Sequence, residues 1–326
     1  MLVPVLLFLL GLVLLIKGGD WFVDGATGIA HRFHVPEILI GATVVSIGTT
    51  LPEVMVSATS ALTGHGEIAY GNAIGSVICN TALISAITIA VQPSRVDRKA
   101  LFVPVGFFFA ACAVYALFAY GFGRFSRVAG VILLALFAGY MLLSVRSALK
   151  NPTLSASDET ADDGAEKQEG PFWKDIFWLV IGAALIAVGA DLLVDNGTLI
   201  AEALGVPESV IALTFVALGT SLPELVTAIS ALAKGHSALS LGNIVGANLF
   251  NLVLVSGLSS TLSPYEIPNS KTVAGVNASL AADIPIMILV MALLTVPALR
   301  RGKLTRTTGI VLLAVYAAYC VFQFAV

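Results

Sequence analysis

Two glutamates lie deep inside long apolar stretches of this sequence, and each directly follows a proline, as Pro52-Glu53 and Pro223-Glu224. A carboxylate at bilayer depth is costly, so it indicates a functional site by default. Proline has no N–H and leaves the helical carbonyl four residues before it without a partner. Carboxylate and carbonyl oxygens are hard ligands, suited to Na⁺ or Ca²⁺. The pattern predicts an intramembrane site for a hard cation, with a structural carboxylate or a simple proline kink as alternatives.

Hydroxyl and amide side chains accompany each glutamate at matching positions. Residues 48–53 read Gly-Thr-Thr-Leu-Pro-Glu, and residues 219–224 read Gly-Thr-Ser-Leu-Pro-Glu. A second pair of blocks, residues 71–80 and 242–251, begins with Gly-Asn and ends with Asn. Glycines spaced four apart in these blocks permit close packing of membrane helices. The asparagines are not explained by packing, and they add neutral oxygens to the predicted site.

The two halves of the sequence repeat each other. An offset of 171 residues, the separation of Glu53 from Glu224, aligns both pairs of blocks without a gap. The same offset aligns Val-Pro-Glu at residues 35–37 with Val-Pro-Glu at residues 206–208. Apolar helices aligned by chance would not match prolines and polar residues in this way, so the pattern indicates a duplication.

The composition of the chain indicates which kind of structural element holds these residues. Of 326 residues, 58% are hydrophobic and 11% are charged, and the mean hydropathy is +0.96, whereas soluble domains carry about 25% charge. We predict an all-α polytopic membrane protein, which excludes soluble enzymes, nucleic-acid binders and secreted modules. Apolar runs of about 20 residues are long enough to cross a bilayer. Ten such spans are predicted at about 2–18, 36–62, 69–91, 100–120, 127–148, 173–199, 206–233, 239–262, 277–297 and 305–325.

An acidic segment divides the chain. Residues 151–172 are mostly polar and acidic, which predicts a linker between a first five-helix repeat at 1–150 and a second at 173–326. The ion-binding motifs then lie within 41–90 and 212–261. A calcium-sensing role for the linker is an alternative, but its acids lack EF-hand spacing.

Lysine and arginine predict the orientation. They concentrate in the segments that follow odd-numbered spans, and positive residues mark the cytoplasmic side. We therefore expect a multi-pass protein of the cell (inner) membrane with both termini outside and the 151–172 linker in the cytoplasm. An odd number of spans per half makes the repeats inverted, which is typical of transporters that bind substrate at mid-membrane.

The paired blocks resemble the two alpha-repeats of the cation/calcium exchanger superfamily, and most closely its prokaryotic sodium/calcium exchanger branch. The resemblance covers the whole ten-helix layout. It implies a transporter without enzymatic activity or cofactor that exchanges Ca²⁺ for Na⁺ by alternating access. The ions would lie at mid-membrane between helices 2, 3, 7 and 8. Its partners would be these ions and the lipid bilayer, with no nucleic acid, and a monomer would suffice for transport.

The resemblance also implies a set of ligands. The family's central acids correspond to Glu53 and Glu224, and backbone carbonyls near Ser46 and Ala217 would contribute to outer Na⁺ sites. The supporting side-chain oxygens correspond to Thr49, Thr50, Ser76, Asn80, Thr220, Ser221 and Asn251.

Three positions depart from the family pattern. Many sodium/calcium exchangers carry Asp where this chain has Asn251, Ala247 replaces a serine that often binds sodium, and Val77 interrupts the usual Gly-Ser-Asn. Two carboxylates neutralise one Ca²⁺ or two Na⁺, and a third Na⁺ would need a neutral site. The stoichiometry and the coupling ion therefore stay open. Cation/proton exchange is the alternative, because a buried glutamate can carry protons.

Other polar residues in the spans are weaker signals. Asp20 and Asp24 correspond to Asp191 and Asp195, at the predicted ends of helices 1 and 6. We interpret them as solvated helix ends, with gating or an ion entry path as the alternative. An intramembrane aspartyl protease is disfavoured, because the sequence lacks its Gly-x-Gly-Asp pattern. His65 and His236 also correspond and are predicted to be solvated turn residues. Asp283 in helix 9 has no acidic counterpart in helix 4.

Overall fold

A computed structural model describes residues 2–33, 35–150, 171–203, 219–268, 272–273 and 275–325. The described residues form ten helices and six short strands. The helices are α1 Leu2–Arg32, α2 Glu37–Leu62, α3 Gly66–Val91, α4 Arg98–Phe122, α5 Arg127–Lys150, α6 Phe172–Ala203, α7 Leu222–Ala233, α8 Ser237–Leu262, α9 Ser279–Arg301 and α10 Arg306–Ala325. The strands are β1 Ser94–Arg95, β2 Arg124–Phe125, β3 Tyr265–Glu266, β4 Thr272–Val273, β5 Val276–Asn277 and β6 Lys303–Leu304.

The architecture confirms the predicted all-α membrane protein. Within the described ranges, nine helices are long and apolar enough to cross a bilayer, and α7 is a shorter apolar helix. The predicted seventh span begins at residue 206, and its part from 206 to 218 lies outside the described residues.

Helix α1 is longer than predicted. The predicted first span ends at residue 18, with Asp20 and Asp24 at the end of the helix, but α1 continues to Arg32. The helix continues because small residues on this stretch pack against neighbouring helices, and because Lys234 Nζ approaches Asp24 Oδ1 to 2.6 Å. Asp20 and Asp24 therefore lie within a helix and not at its end.

In the described part of the chain, four helices contain a turn of π-helix, which the sequence patterns do not predict. These turns are Gly41–Val45 in α2, Asn80–Ser85 in α3, Asn251–Val255 in α8 and Ser279–Asp283 in α9. Two of them begin at the repeat-related asparagines. Such turns are frequent at functional sites, because they interrupt the regular ladder of helical hydrogen bonds.

The chain divides into two compact units. Unit 1 comprises Met1–Thr49 and Leu142–Asn243, and unit 2 comprises Thr50–Met141 and Ile244–Val326. Each unit contains segments from both halves of the sequence. The compact units are thus not the two repeats, and the repeat boundaries around the 151–172 linker stay a prediction about the sequence.

In unit 1, helices α1 and α6 pack closely through glycines. A Cβ atom at Gly18 would lie 2.9 Å from Ile186 N, and one at Gly189 would lie 2.8 Å from Gly11 O. At the other end, Arg32 donates from Nε to Asp175 Oδ2 at 3.0 Å. Small residues permit this backbone approach in membranes, so α1 and α6 form one tightly packed pair.

In unit 2, short strands join the connecting loops. Strand β1, after α3, pairs antiparallel with β6, after α9. Strand β2, after α4, pairs antiparallel with β3, after α8. Loops after odd-numbered helices thus pair with each other, and so do loops after even-numbered ones. Helices that cross a membrane in alternate directions would produce this arrangement.

Candidate functional site

The two glutamates are completely buried but occupy different positions in their helices. Glu53 and Glu224 are both 0% exposed. Glu53 lies in the interior of α2 directly after Pro52, as expected. Glu224 lies in the first turn of α7, because Ser221 before the helix has φ −91° and ψ 3°. Proline costs no helical hydrogen bond in a first turn, so the predicted loss of a helical hydrogen bond applies to α2 and not to the described α7.

Unit 2 holds five of the eleven predicted ligands, on three helices that pack together. Asn72 Nδ2 on α3 donates to the backbone oxygen of Glu53 on α2 at 3.2 Å and to Ser57 Oγ at 2.8 Å. Next to Glu53, Val54 packs against Ala73 of α3 and Val255 of α8. The predicted ligands in this unit are all buried, with exposures of 0 to 4%: Thr50, Glu53, Ser76, Asn80 and Asn251.

The side-chain amides of Asn80 and Asn251 are buried and have no hydrogen-bond partner among the described residues. Both residues are 0% exposed, and neither amide has a hydrogen-bond partner among the residues that the structure describes. An unsatisfied buried polar group costs about 1–3 kcal/mol, and one in a folded protein indicates a bound water or ion. Each asparagine also begins a π-helical turn. Two neutral amide oxygens are therefore available to a ligand in this unit.

Unit 1 holds the remaining described ligands, and α8 contacts two of them. Thr49 Oγ1 donates to Asn243 Oδ1 at 3.2 Å. Ser46 Oγ donates to Gly41 O at 2.7 Å and approaches Asn243 O to 2.9 Å. Ser46, Thr49, Ser221 and Glu224 are 0 to 2% exposed, Thr220 is half-buried, and Ala217 lies outside the described residues.

Three further asparagines belong to this polar interior, although the sequence reasoning did not select them as ligands. Asn72 and Asn243 contact predicted ligands directly. Asn248 Nδ2 donates to Thr81 Oγ1 at 2.7 Å, and its Oδ1 has no partner in the described part of the chain. Each is an amide side chain in an otherwise apolar helix, and this feature identifies them in the sequence as candidates. The alignment of the two repeats did not point to Asn248, because the corresponding residue of the first half is Val77.

The weaker candidates lie at the edges of the helices. His236 is not a solvated turn residue as predicted, because its Nδ1 lies 2.8 Å from Glu37 Oε1 and the side chain is 28% exposed. His65 is exposed in its turn and contacts Thr63, as predicted. Asp283 accepts hydrogen bonds from Tyr319 Oη at 3.1 Å and Gln323 Nε2 at 2.7 Å.

The predicted ligands of each unit have the chemistry of hard-cation ligands. Unit 2 carries the Glu53 carboxylate with hydroxyl and amide oxygens, and unit 1 carries the Glu224 carboxylate with hydroxyl oxygens. Such oxygens suit Na⁺ and Ca²⁺ and not soft metals.

Comparison with known proteins gives one family. The model of the sodium/calcium exchanger protein family matches residues 3–146 and 174–325. The sodium/calcium exchanger MaX1 of Methanosarcina acetivorans is 32% identical over 350 residues, which cover 98% of each chain. The inner membrane protein YrbG of Escherichia coli is 34% identical over 268 residues, which cover 82% of each chain.

The fold is also that of a solved exchanger. The structure of the sodium-calcium exchanger NCX_Mj superimposes with a TM-score of 0.78 at 32% sequence identity, covering 98% of both chains. The family match spans both halves of the chain and leaves out the acidic segment between them. The chain therefore belongs to the sodium/calcium exchanger family and is a multi-pass membrane cation exchanger, not an enzyme.

Proposed function

We propose that this protein exchanges Ca²⁺ for Na⁺ across the cell membrane by alternating access. The observation that carries the proposal is the complete burial of Glu53 and Glu224. Ionised carboxylates do not persist in an apolar interior unless cations or donors compensate them. The relatives that are named sodium/calcium exchangers support the same pair of ions.

We assign the ion ligands as the sequence predicts them. Glu53 and Glu224 supply the charge, and the neutral oxygens come from Ser46, Thr49, Thr50, Ser76, Asn80, Ala217, Thr220, Ser221 and Asn251. The amides of Asn80 and Asn251, which have no partner in the described ranges, support this assignment, because a bound ion would satisfy their buried oxygens.

Alternation follows from the charge balance. Either one Ca²⁺ or two Na⁺ neutralises two carboxylates, so either load permits the occluded state. The empty site keeps its negative charge in a low-dielectric interior, which disfavours occlusion and prevents leak. Helices α1 and α6 are the proposed moving elements. Their glycine contacts and the Arg32–Asp175 ion pair would make them move as one body.

We further propose the orientation that the lysines and arginines predict, with both termini outside and the 151–172 linker in the cytoplasm. YrbG is named an inner membrane protein, which supports the same membrane. A green fluorescent protein fused within the linker should fluoresce in cells, because it folds in the cytoplasm. A dark fusion that is expressed at full length would contradict this orientation.

Proton exchange is the second candidate, and one residue favours it. Asn251 is a neutral amide where many family members carry an acid, so a site with only two carboxylates moves less charge per cycle. A buried glutamate with a raised pKa can bind a proton in place of Na⁺. Calcium flux that follows a pH gradient without sodium would favour this candidate.

Neutral variants test the ligand assignment. Glu53→Gln and Glu224→Gln keep the shape of the side chain but remove one charge each. Each should reduce Ca²⁺ uptake into proteoliposomes by at least about 100-fold, because losing an ionic ligand in a buried site costs several kcal/mol. Glu266→Gln in strand β3, an exposed carboxylate, is the matched control and should transport normally. Unchanged flux in either site variant would refute the assignment.

A further inference from the structure

We propose that Asn243 is a positioning residue that orients the hydroxyl of Thr49 for cation binding. The inference rests on the proposed function, since it requires Thr49 to be an ion ligand. Asn243 lies in α8, is 0% exposed, and belongs to the same compact unit as Thr49. It has no assigned role in the predicted ligand set.

The direction of the Thr49 hydroxyl proton determines whether the hydroxyl oxygen can bind a cation. A threonine hydroxyl has one proton and two lone pairs. A cation binds a lone pair, so the proton must point elsewhere. In helices, threonine often donates this proton to the carbonyl one turn earlier. Here, among the described residues, the acceptor for Thr49 Oγ1 is Asn243 Oδ1 at 3.2 Å. Both lone pairs of Thr49 therefore stay available.

The orientation of the Asn243 side-chain amide determines whether the Thr49 hydroxyl is available to a cation. Asn243 Oδ1 faces two hydroxyls, those of Thr49 at 3.2 Å and Ser46 at 3.3 Å. Its Nδ2 is buried without a partner in the described part of the chain. If the amide were reversed, Nδ2 would occupy a lone pair of Thr49 Oγ1, and the Thr49 hydroxyl proton, without its acceptor, would repel a cation. The Thr49 hydroxyl, which donates to Oδ1, therefore favours the observed orientation, whereas Ser46 donates its proton to Gly41 O.

Close packing of backbones brings Asn243 within reach of α2. A Cβ atom at Gly41 would lie 2.8 Å from Asn243 N, and one at Gly242 would lie 2.9 Å from Ile38 Cα. Ser46 Oγ also lies 2.9 Å from the backbone oxygen of Asn243. Since glycines at both contact points leave no room for a side chain, α8 is held at a fixed distance from the π-helical turn of α2.

The repeat-related residue of the first half, Asn72, also connects two helices. Asn72 Nδ2 on α3 donates to the Glu53 backbone oxygen and to Ser57 Oγ on α2. Both asparagines therefore contact α2, each within its own compact unit.

Calcium self-exchange tests the proposal without reference to the coupling ion. The measurement is the Ca²⁺ concentration for half-maximal ⁴⁵Ca²⁺/Ca²⁺ exchange in proteoliposomes. Asn243→Leu, which cannot accept a proton, should raise it about tenfold, the effect of losing one buried hydrogen bond. Asn243→Asp still accepts from Thr49 and should stay at or below the wild-type value. Ser240→Ala, a buried truncation one turn earlier on α8, is the control and should match the wild type.

A double-mutant cycle separates positioning from a general defect. Thr49→Val should itself raise the half-maximal concentration, and Asn243→Leu added to it should have little further effect, because coupled residues are not additive. Effects that multiply, or an Asn243→Leu variant within twofold of the wild type, would overturn the role of Asn243 alone. An unaffected Thr49→Val variant would overturn Thr49 as a ligand and the proposed site with it.

Discussion

At the residue scale, the candidate site is marked by two buried asparagine amides. Asn80 and Asn251 bring amides into a fully buried environment where the described residues offer them no hydrogen bond. Such groups are tolerated in folded proteins when a ligand or water satisfies them. The repeat alignment predicted both positions, because a polar residue at the same place in two apolar helices is not explained by packing.

The neutrality of Asn251 leads to a prediction. Asn251→Asp adds a third carboxylate of nearly the same shape. It should lower the half-maximal Ca²⁺ concentration by about tenfold, since a nearby opposite charge in a buried site contributes at least about 1.4 kcal/mol. Asn251→Leu removes the oxygen at similar volume and should raise this concentration. The measurement is the concentration dependence of ⁴⁵Ca²⁺ self-exchange. The same value for both variants would show that residue 251 does not contact the ion.

At the element scale, hydropathy and charge predicted most helices to within a few residues but missed their irregularities. Span length depends on the number of apolar residues, so α4 and α8 could be found from sequence. The π-helical turn at Asn80 could not, because one extra residue in a turn leaves the apolar pattern nearly unchanged. The extension of α1 through Asp24 was also missed, since an ion pair with Lys234 is a contact between distant segments.

For the candidate site residues too, the sequence predicted some features and not others. The repeat and the proline pattern predicted the burial of Glu53 and Glu224. They did not predict that Glu224 begins its helix, because that depends on backbone conformation at Ser221. The contacts of Asn243 with Ser46 and Thr49 could not be predicted either, since they require the packing of α8 against α2.

That packing gives an element-scale prediction. A Cβ atom at Gly242 would collide with the backbone oxygen of Ile38. Gly242→Ala should therefore destabilise the protein by about 1–3 kcal/mol, the usual cost of overpacking. Gly106→Ala is the matched control, because a Cβ atom there meets no described atom within 4 Å. Thermal unfolding of the purified protein in detergent measures both. An equal melting temperature for the two variants would contradict the close approach of α2 and α8.

At the scale of the whole molecule, the chain has few charged residues, and their positions are informative. Only 11% of the residues are charged, and most of them lie in the connecting segments or at helix ends. The connecting segments bring together loops from alternate helices, as β1 with β6 and β2 with β3. Glu53 and Glu224, which are fully buried, are the charges that we propose the transported ions balance.

Sodium-driven calcium uptake tests this account most directly. Proteoliposomes that contain the protein and are loaded with Na⁺ should take up ⁴⁵Ca²⁺ when diluted into sodium-free medium at equal pH, and monensin should abolish the uptake. A pH gradient without sodium should drive no more uptake than liposomes without protein show. Calcium uptake that follows the pH gradient and ignores sodium, or no uptake above protein-free liposomes, would contradict the account.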